Sequence, residues 1–293
     1  MKIMITGCNG QLGNELISIL KSGKSEIGAM PCELAGSELL PVDVDTLDIS
    51  DNAAVAAFVA ENRPAVIINC AAYTNVDGCE SDFETAFKVN AMGVRNLSLA
   101  AKSVGAKLIH VSTDYVFAGD GTRPYVEWDQ VNPQSAYGAS KALGEKYALA
   151  FNDKTFVVRT SWLYGYIGKN FVKTVRRVIR EKGGITVVND QRGNPTHAND
   201  LAHHLLKLAL TEEYGIYHCT GEGECTWYDF AKKIAELSGF GDVVKPCTSV
   251  EFPTPTKRPA YSSLSNLALR CTVGNEMRNW EDAIEEYIKK VED

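Results

Sequence analysis

Lys2-Ile3-Met4-Ile5-Thr6-Gly7-Cys8-Asn9-Gly10-Gln11-Leu12-Gly13 opens the chain. Its first five residues are apolar enough, and β-branched enough, to read as a short buried strand. The spacing Gly-x-x-Gly-x-x-Gly follows, and Leu12, Leu16, Ile19 and Leu20 then recur at helical intervals over 14–21. The missing side chains at Gly7, Gly10 and Gly13 permit a tight turn. They also let a pyrophosphate approach the first turn of the helix, where unpaired N–H groups favour negative charge. Three glycines are a weak signal alone, but between a strand and a helix they are a much better one.

Outward from this turn, strands are expected at 38–42, 65–70, 107–112 and 155–159. Helices are expected at 52–62 (with Ser50 as cap and Pro64 beyond the end), 86–104 and 137–151. Residues 21–38 read as a long loop. The alternation predicts an α/β fold, a Rossmann-type doubly wound parallel sheet with a smaller C-terminal substrate-binding lobe. Ligands in such folds bind beyond the carboxyl ends of the strands. The Gly7 turn, Ala71-Ala72-Tyr73-Thr74, Ser112-Thr113-Asp114 and Thr160-Ser161-Trp162 each follow a strand, so they should meet at one sheet edge. Beyond Trp162, helices are expected at 170–181, 200–210, 227–237 and 280–291, with a proline-stiffened segment at 252–259. The expected division is 1–162 as the dinucleotide-binding domain, rejoined by about 187–219, with 163–186 and 220–293 forming the lobe.

A net charge of −7 argues against broad nucleic-acid or acidic-membrane binding, while still allowing a phosphorylated ligand held by local amides and a few cations. The eight cysteines show no Cys-x-x-Cys pair and no zinc spacing, which points to reduced thiols in a cytoplasmic protein. The apolar run ending at Gly7 is too short for a secretory leader or a membrane span. His203 and His204 diverge on a helix and do not make a metal pair. His110 reads as core, and Lys173, Arg176, Arg177 and Arg180 read as a solvated face.

Tyr137 and Lys141 stand four residues apart in Tyr137-Gly138-Ala139-Ser140-Lys141, on one helical face. A lysine beside a tyrosine favours the phenolate and pulls the phenol toward neutrality, which suits interconversion of an alcohol and a carbonyl. Thr113, 24 residues earlier at a strand end, is placed to orient a carbonyl oxygen. Asp43 closes the second strand, where a carboxylate can bind adenosine ribose hydroxyls. With Val44 next, rather than an arginine for a 2′-phosphate, the expected cofactor is NADH or NADPH with NADH favoured. Asp48 and Ile49 are placed to flank the adenine.

These residues resemble the extended short-chain dehydrogenase/reductase superfamily and, within it, the dTDP-4-dehydrorhamnose reductase family. The likeness runs nearly end to end. It includes Gly7 to Gly13, Asn69-Cys70-Ala71-Ala72-Tyr73-Thr74-Asn75-Val76-Asp77 with Glu80, Ser112-Thr113-Asp114-Tyr115-Val116-Phe117 and the Tyr137–Lys141 stretch. It continues through Arg159-Thr160-Ser161-Trp162-Leu163-Tyr164, Asn170-Phe171, 189–196 and Arg258-Pro259. The resemblance implies that Gly10, Gln11 and Leu12 touch the cofactor pyrophosphate. Ala71, Ala72 and Tyr73 would line the nicotinamide side, and Tyr137 and Lys141 would hold its ribose. Thr113 and Asp114 would face the sugar, and Trp162, Asn170 and Arg258 would contact the sugar nucleotide. Some relatives are magnesium-linked dimers. Glu15 matches one acidic position, but Asn199 stands where a glutamate is expected, so no metal site is predicted.

The implied activity is NAD(P)H-dependent reduction of the 4-keto group of dTDP-6-deoxy-L-lyxo-4-hexulose to dTDP-L-rhamnose, in a cytoplasmic monomer or homodimer. Two alternatives stand beside it. One is a nucleotide-sugar epimerase with tightly bound NAD. The other is a non-catalytic subunit resembling the regulatory subunit of methionine adenosyltransferase. A dehydratase is disfavoured, because Tyr115 follows Asp114 where a second acid would be needed.

Overall fold

A computed structural model describes residues 1–291. Five strands, β1 (Lys2–Thr6), β2 (Glu38–Val42), β3 (Val66–Asn69), β4 (Lys107–Thr113) and β5 (Thr155–Thr160), lie in one parallel sheet. The Gly215–His218 strand adds in parallel beside β5. The order Gly215–His218, β5, β4, β3, β1, β2 reverses direction between β1 and β3, so a crevice opens above Gly7.

Both faces of the sheet are covered, and β1 shows why its residues are apolar throughout. Ile3 and Ile5 pack with Leu16 of α1 (Gln11–Ser22) and Leu205 of the Ala198–Ala209 helix. Met4 turns to the other face, among Val55, Leu97 and Val157. Each such side chain contributes roughly 1.5–3 kcal/mol of burial.

After β5 the chain leaves the sheet. Leu163–Tyr164 pairs with Thr196–His197, and Ile185–Val188 pairs in parallel with Val244–Cys247. A second apolar cluster forms there around Tyr164, Val172, Phe230, Ile284 and Tyr287. The chain returns to the sheet through the Ala198–Ala209 helix and the Gly215–His218 strand. Leu269 and Met277 also lie in the same core as Ile3 and Ile5.

Three local expectations are corrected. Asp51, not Ser50, caps the Asn52–Asn62 helix, accepting from Ala53 N and Ala54 N at 2.9 and 3.0 Å. Arg176 is buried, because it shares a helix face with Val172, Val175 and Ile179. The 86–104 helix is interrupted at Lys88–Gly93 by a wider π turn, a feature that tends to mark functional sites. His203 and His204 are both buried and hydrogen-bonded, to Ser25 and Glu276 and to Asp200 O and Glu276 N. His110 is buried too.

The 21–38 stretch holds an antiparallel bridge between Lys24 and Ala29 and a short Cys32–Leu34 turn. Glu26 accepts from Tyr166 Oη at 2.7 Å and from Arg278 at 2.9 Å, and its own N–H donates to Asn199 Oδ1 at 2.7 Å. No described helix is long and apolar enough to cross a membrane.

Candidate active site

The strand ends meet as the topology requires. A cavity of about 800 Å³ is walled by Gly7, Gly10, Gln11, Leu12 and Gly13 on one side and by Thr113, Asp114, Tyr137 and Lys141 on another. Asp43, Asp48 and Ile49 line one end, Ala71, Ala72 and Tyr73 the middle, and Trp162 the far end.

The glycine turn is shaped by close contact. Gly7 has φ +63°, and a Cβ there would stand 2.8 Å from Ala71 N. A Cβ at Gly13 would stand 2.4 Å from Gly7 O, so α1 reaches the sheet only because that atom is missing. Gly10 precedes α1 without a side-chain cap, leaving the helix N–H groups to the cavity. The Asp43 carboxylate accepts from Asn9 N at 2.9 Å and Val44 N at 2.8 Å, which fixes it beside this turn.

Tyr137 and Lys141 lie on the Ala136–Phe151 helix, capped by Ser135 and by Glu80, which accepts from Ala136 N at 2.8 Å. Lys141 Nζ donates to Val111 O at 2.6 Å. Burial pushes its pKa down to about 8, partly countered by Glu145. Glu145 is itself held by Arg159 at 2.7 Å and by the Ser112 hydroxyl. The phenol of Tyr137 moves up, not down as the spacing suggested. Burial is the main cause and the Asp114 carboxylate the next, while the lysine is engaged with the strand carbonyl. Tyr115 meets the Tyr137 ring edge-on at 5.5 Å. Thr113 Oγ1 donates to Asp114 Oδ1 at 2.8 Å, and burial raises the Asp114 carboxyl to about 6.

Two expected substrate contacts are placed differently. Asn170 is not in the cavity wall. It caps the Phe171–Lys182 helix, accepting from Lys173 N at 3.0 Å, and its amide donates to Gln11 Oε1 at 3.0 Å and Gly165 O at 2.8 Å. Arg258 lines a neighbouring cavity of about 210 Å³ that shares Tyr115 with the first. Its guanidinium donates to Asp77 at 2.8 Å and to Tyr115 Oη at 3.2 Å.

Sequence reasoning missed three contributors. Trp227 stacks on Trp162 at 3.5 Å, and Trp162 has φ +48°, a conformation a bulky residue adopts only under constraint. Asn90, in the π turn, clamps the Tyr73 backbone with bonds of 2.8 and 3.0 Å and also donates to Ser140. Lys169 reaches the cavity from the stretch between Tyr164 and the Phe171–Lys182 helix. The glycine before Lys169 was the one available hint; Asn90 and Trp227 carried none. Asn199 donates to Glu15 at 2.8 Å, so the acidic position noted from the sequence is capped by an amide.

A family model described as the RmlD substrate binding domain matches residues 1–293. A dTDP-4-dehydrorhamnose reductase from Streptomyces griseus is 39% identical over 290 residues, covering 97% of this chain and 91% of that protein. A crystal structure of a dTDP-4-dehydrorhamnose reductase from Clostridium acetobutylicum superposes with a TM-score of 0.93 at 48% identity, covering 99% of each chain. That of the dTDP-4-dehydrorhamnose reductase from Bacillus anthracis, in complex with NADP, superposes at 0.92 with 41% identity and the same coverage.

Proposed function

The chain belongs to the RmlD substrate binding domain family, and from that premise we propose that it reduces the 4-keto group of dTDP-6-deoxy-L-lyxo-4-hexulose to dTDP-L-rhamnose with NADH or NADPH. One observation carries this reading: Thr113, Tyr137 and Lys141 stand on the wall of a cavity whose opposite wall is the glycine turn. The residues present fit a dinucleotide. The uncapped N-terminus of α1 suits a pyrophosphate, and the turn before it is so tight that a Cβ at Gly7 or Gly13 would clash with neighbouring backbone. Asp43 suits ribose hydroxyls, and among the described residues no cation lines that end of the cavity, which favours NADH.

When bound, NAD(P)H supplies a hydride to the ketone carbon. The chain's own residues do the rest. Thr113 aligns the carbonyl oxygen. Tyr137 Oη gives its proton to that oxygen as negative charge builds on it. Lys141 keeps two N–H bonds beyond the one to Val111 O, free for a ribose hydroxyl, and its charge favours the phenolate left behind. Trp162, stacked on Trp227, offers a flat face to the sugar, and Arg258 a fork to the substrate's diphosphate. Asn170 acts through Gln11 rather than on the sugar. The stretch after β5 serves as the substrate lobe, and the protein works as a cytoplasmic monomer or homodimer.

The test is absorbance of NADH and NADPH with the dTDP-4-keto sugar, followed by product identification. Stoichiometric oxidation with formation of dTDP-L-rhamnose is the expected result. Turnover with no added cofactor would instead indicate an epimerase, and no turnover with any keto-sugar nucleotide would overturn the reading.

A further inference from the structure

We propose that Lys169 is a cofactor-binding residue, carrying a positive charge from the second lobe to the pyrophosphate of the bound dinucleotide. The inference rests on the reading above that the glycine turn holds a dinucleotide.

Among the described residues, only two cations line the main cavity, Lys141 and Lys169. Lys141 is buried and bonded to Val111 O. Lys169 is exposed, and among the described residues no carboxylate or carbonyl pairs with it. An unpaired ammonium on a cavity rim is free to meet an anion that arrives there.

The backbone places that ammonium beside the glycine turn. A Cβ at Gly168 would lie 3.6 Å from Gln11 Cγ, and one at Gly165 would lie 3.6 Å from Gln11 Cβ. Asn170 then ties the same segment to Gln11 Oε1 at 3.0 Å. Gly168 takes φ +76°, a turn that favours glycine, just before the lysine. Gln11 is the first residue of α1, next to the uncapped Gly10. Lys169 therefore emerges where the open N–H groups of that helix face the cavity.

The charge balance makes such a cation useful. The same cavity is lined by Asp43, Asp48 and Asp114, and the chain is −7 overall. A helix terminus offers only about half a positive charge against the two negative charges of a diphosphate. The sugar nucleotide also carries a diphosphate, but contact with Gln11 places Lys169 on the cofactor's side.

The test is a fluorescence titration of wild type, Lys169→Ala and Lys169→Arg with NADH at low and high salt, with dTDP titrated in parallel. Lys169→Ala should raise the NADH Kd about tenfold at low salt, with a smaller gap at high salt as screening grows. Lys169→Arg should stay within about twofold of wild type, and the dTDP Kd should stay within about twofold in all three. The side chain is exposed, so matching thermal melts will show that the fold is intact. An unchanged NADH Kd in Lys169→Ala overturns the proposal, as does a loss that falls on dTDP instead. If wild type binds NADH but reduces no keto sugar, the functional reading fails while Lys169 is still judged by its own Kd. If wild type binds neither NADH nor NADPH, both fail.

Discussion

Tyr137 is held as an intact phenol. Burial and the neighbouring Asp114 hold its proton on, so in the cofactor-free protein the donor form persists through the physiological range. Tyr137→Phe should lower kcat by about a thousandfold, the usual worth of a positioned acid, with NADH affinity changed only a few-fold. Steady-state rates alongside a binding titration will check this, and near-normal turnover would remove Tyr137 as the donor. Asp114 gives a pH prediction. Its folded pKa of about 6 lies above the ordinary 3.8, so the native state holds this proton more tightly than the unfolded chain. The resulting penalty is absent below about pH 4, grows as pH rises to about 6, and is then constant at about 3 kcal/mol. Asp114→Asn should therefore raise stability at pH 7 to 8 and leave it unchanged near pH 3.5. Denaturant titrations at both pH values will show whether the gain has this pH dependence. The Tyr137–Lys141 spacing was legible in the chain, because four residues on a helix fix a shared face. The direction of the phenol shift was not, since it depends on burial and on the Asp114 carboxylate, both of which tertiary packing brings to the ring.

Elements place these residues, and one close approach among them is that of α1 to the Gly7 turn. A methyl at position 13 would sit 2.4 Å from Gly7 O, and backbone cannot swing aside as a side chain does. Gly13→Ala should push α1 outward and weaken NADH binding by at least about tenfold, with a lower Tm. A titration and a thermal melt suffice, and wild-type affinity would mean that the helix tolerates the shift. The parallel sheet and the meeting of strand ends at the cavity followed from sequence, because parallel strands buried on both faces leave continuous apolar runs such as Val66-Ile67-Ile68. The π turn at Lys88–Gly93 did not. It is set by a tertiary demand, the clamp of Asn90 on the Tyr73 backbone, which no local periodicity encodes. The Asn52–Asn62 cap slipped by one residue for a similar reason: Ser50 and Asp51 are both good caps, and packing decides between them.

At the scale of the molecule, residues far apart in the chain are tied by one buried charge cluster. Arg278 donates to Asp200 at 2.5 and 2.9 Å and to Glu26 at 2.9 Å, and it also meets His197. Asp200 is 1% exposed, so losing its partner strands a charge in the interior. Arg278→Met should cost about 3–5 kcal/mol of unfolding free energy, read from urea denaturation. A loss below about 1 kcal/mol would mean that the cluster contributes little. The 21–38 loop looked purposeless in sequence because its partners, Asn199, Tyr166 and Arg278, lie more than a hundred residues downstream. The Gly215–His218 strand has a comparable reach, for it covers the flank of β5. While the polypeptide is still being synthesised, that flank stays bare until residue 218 has cleared the ribosome, and its open backbone groups can pair with a neighbouring nascent chain. Premature termination upstream of 215 would thus leave a sticky product rather than a smaller working one.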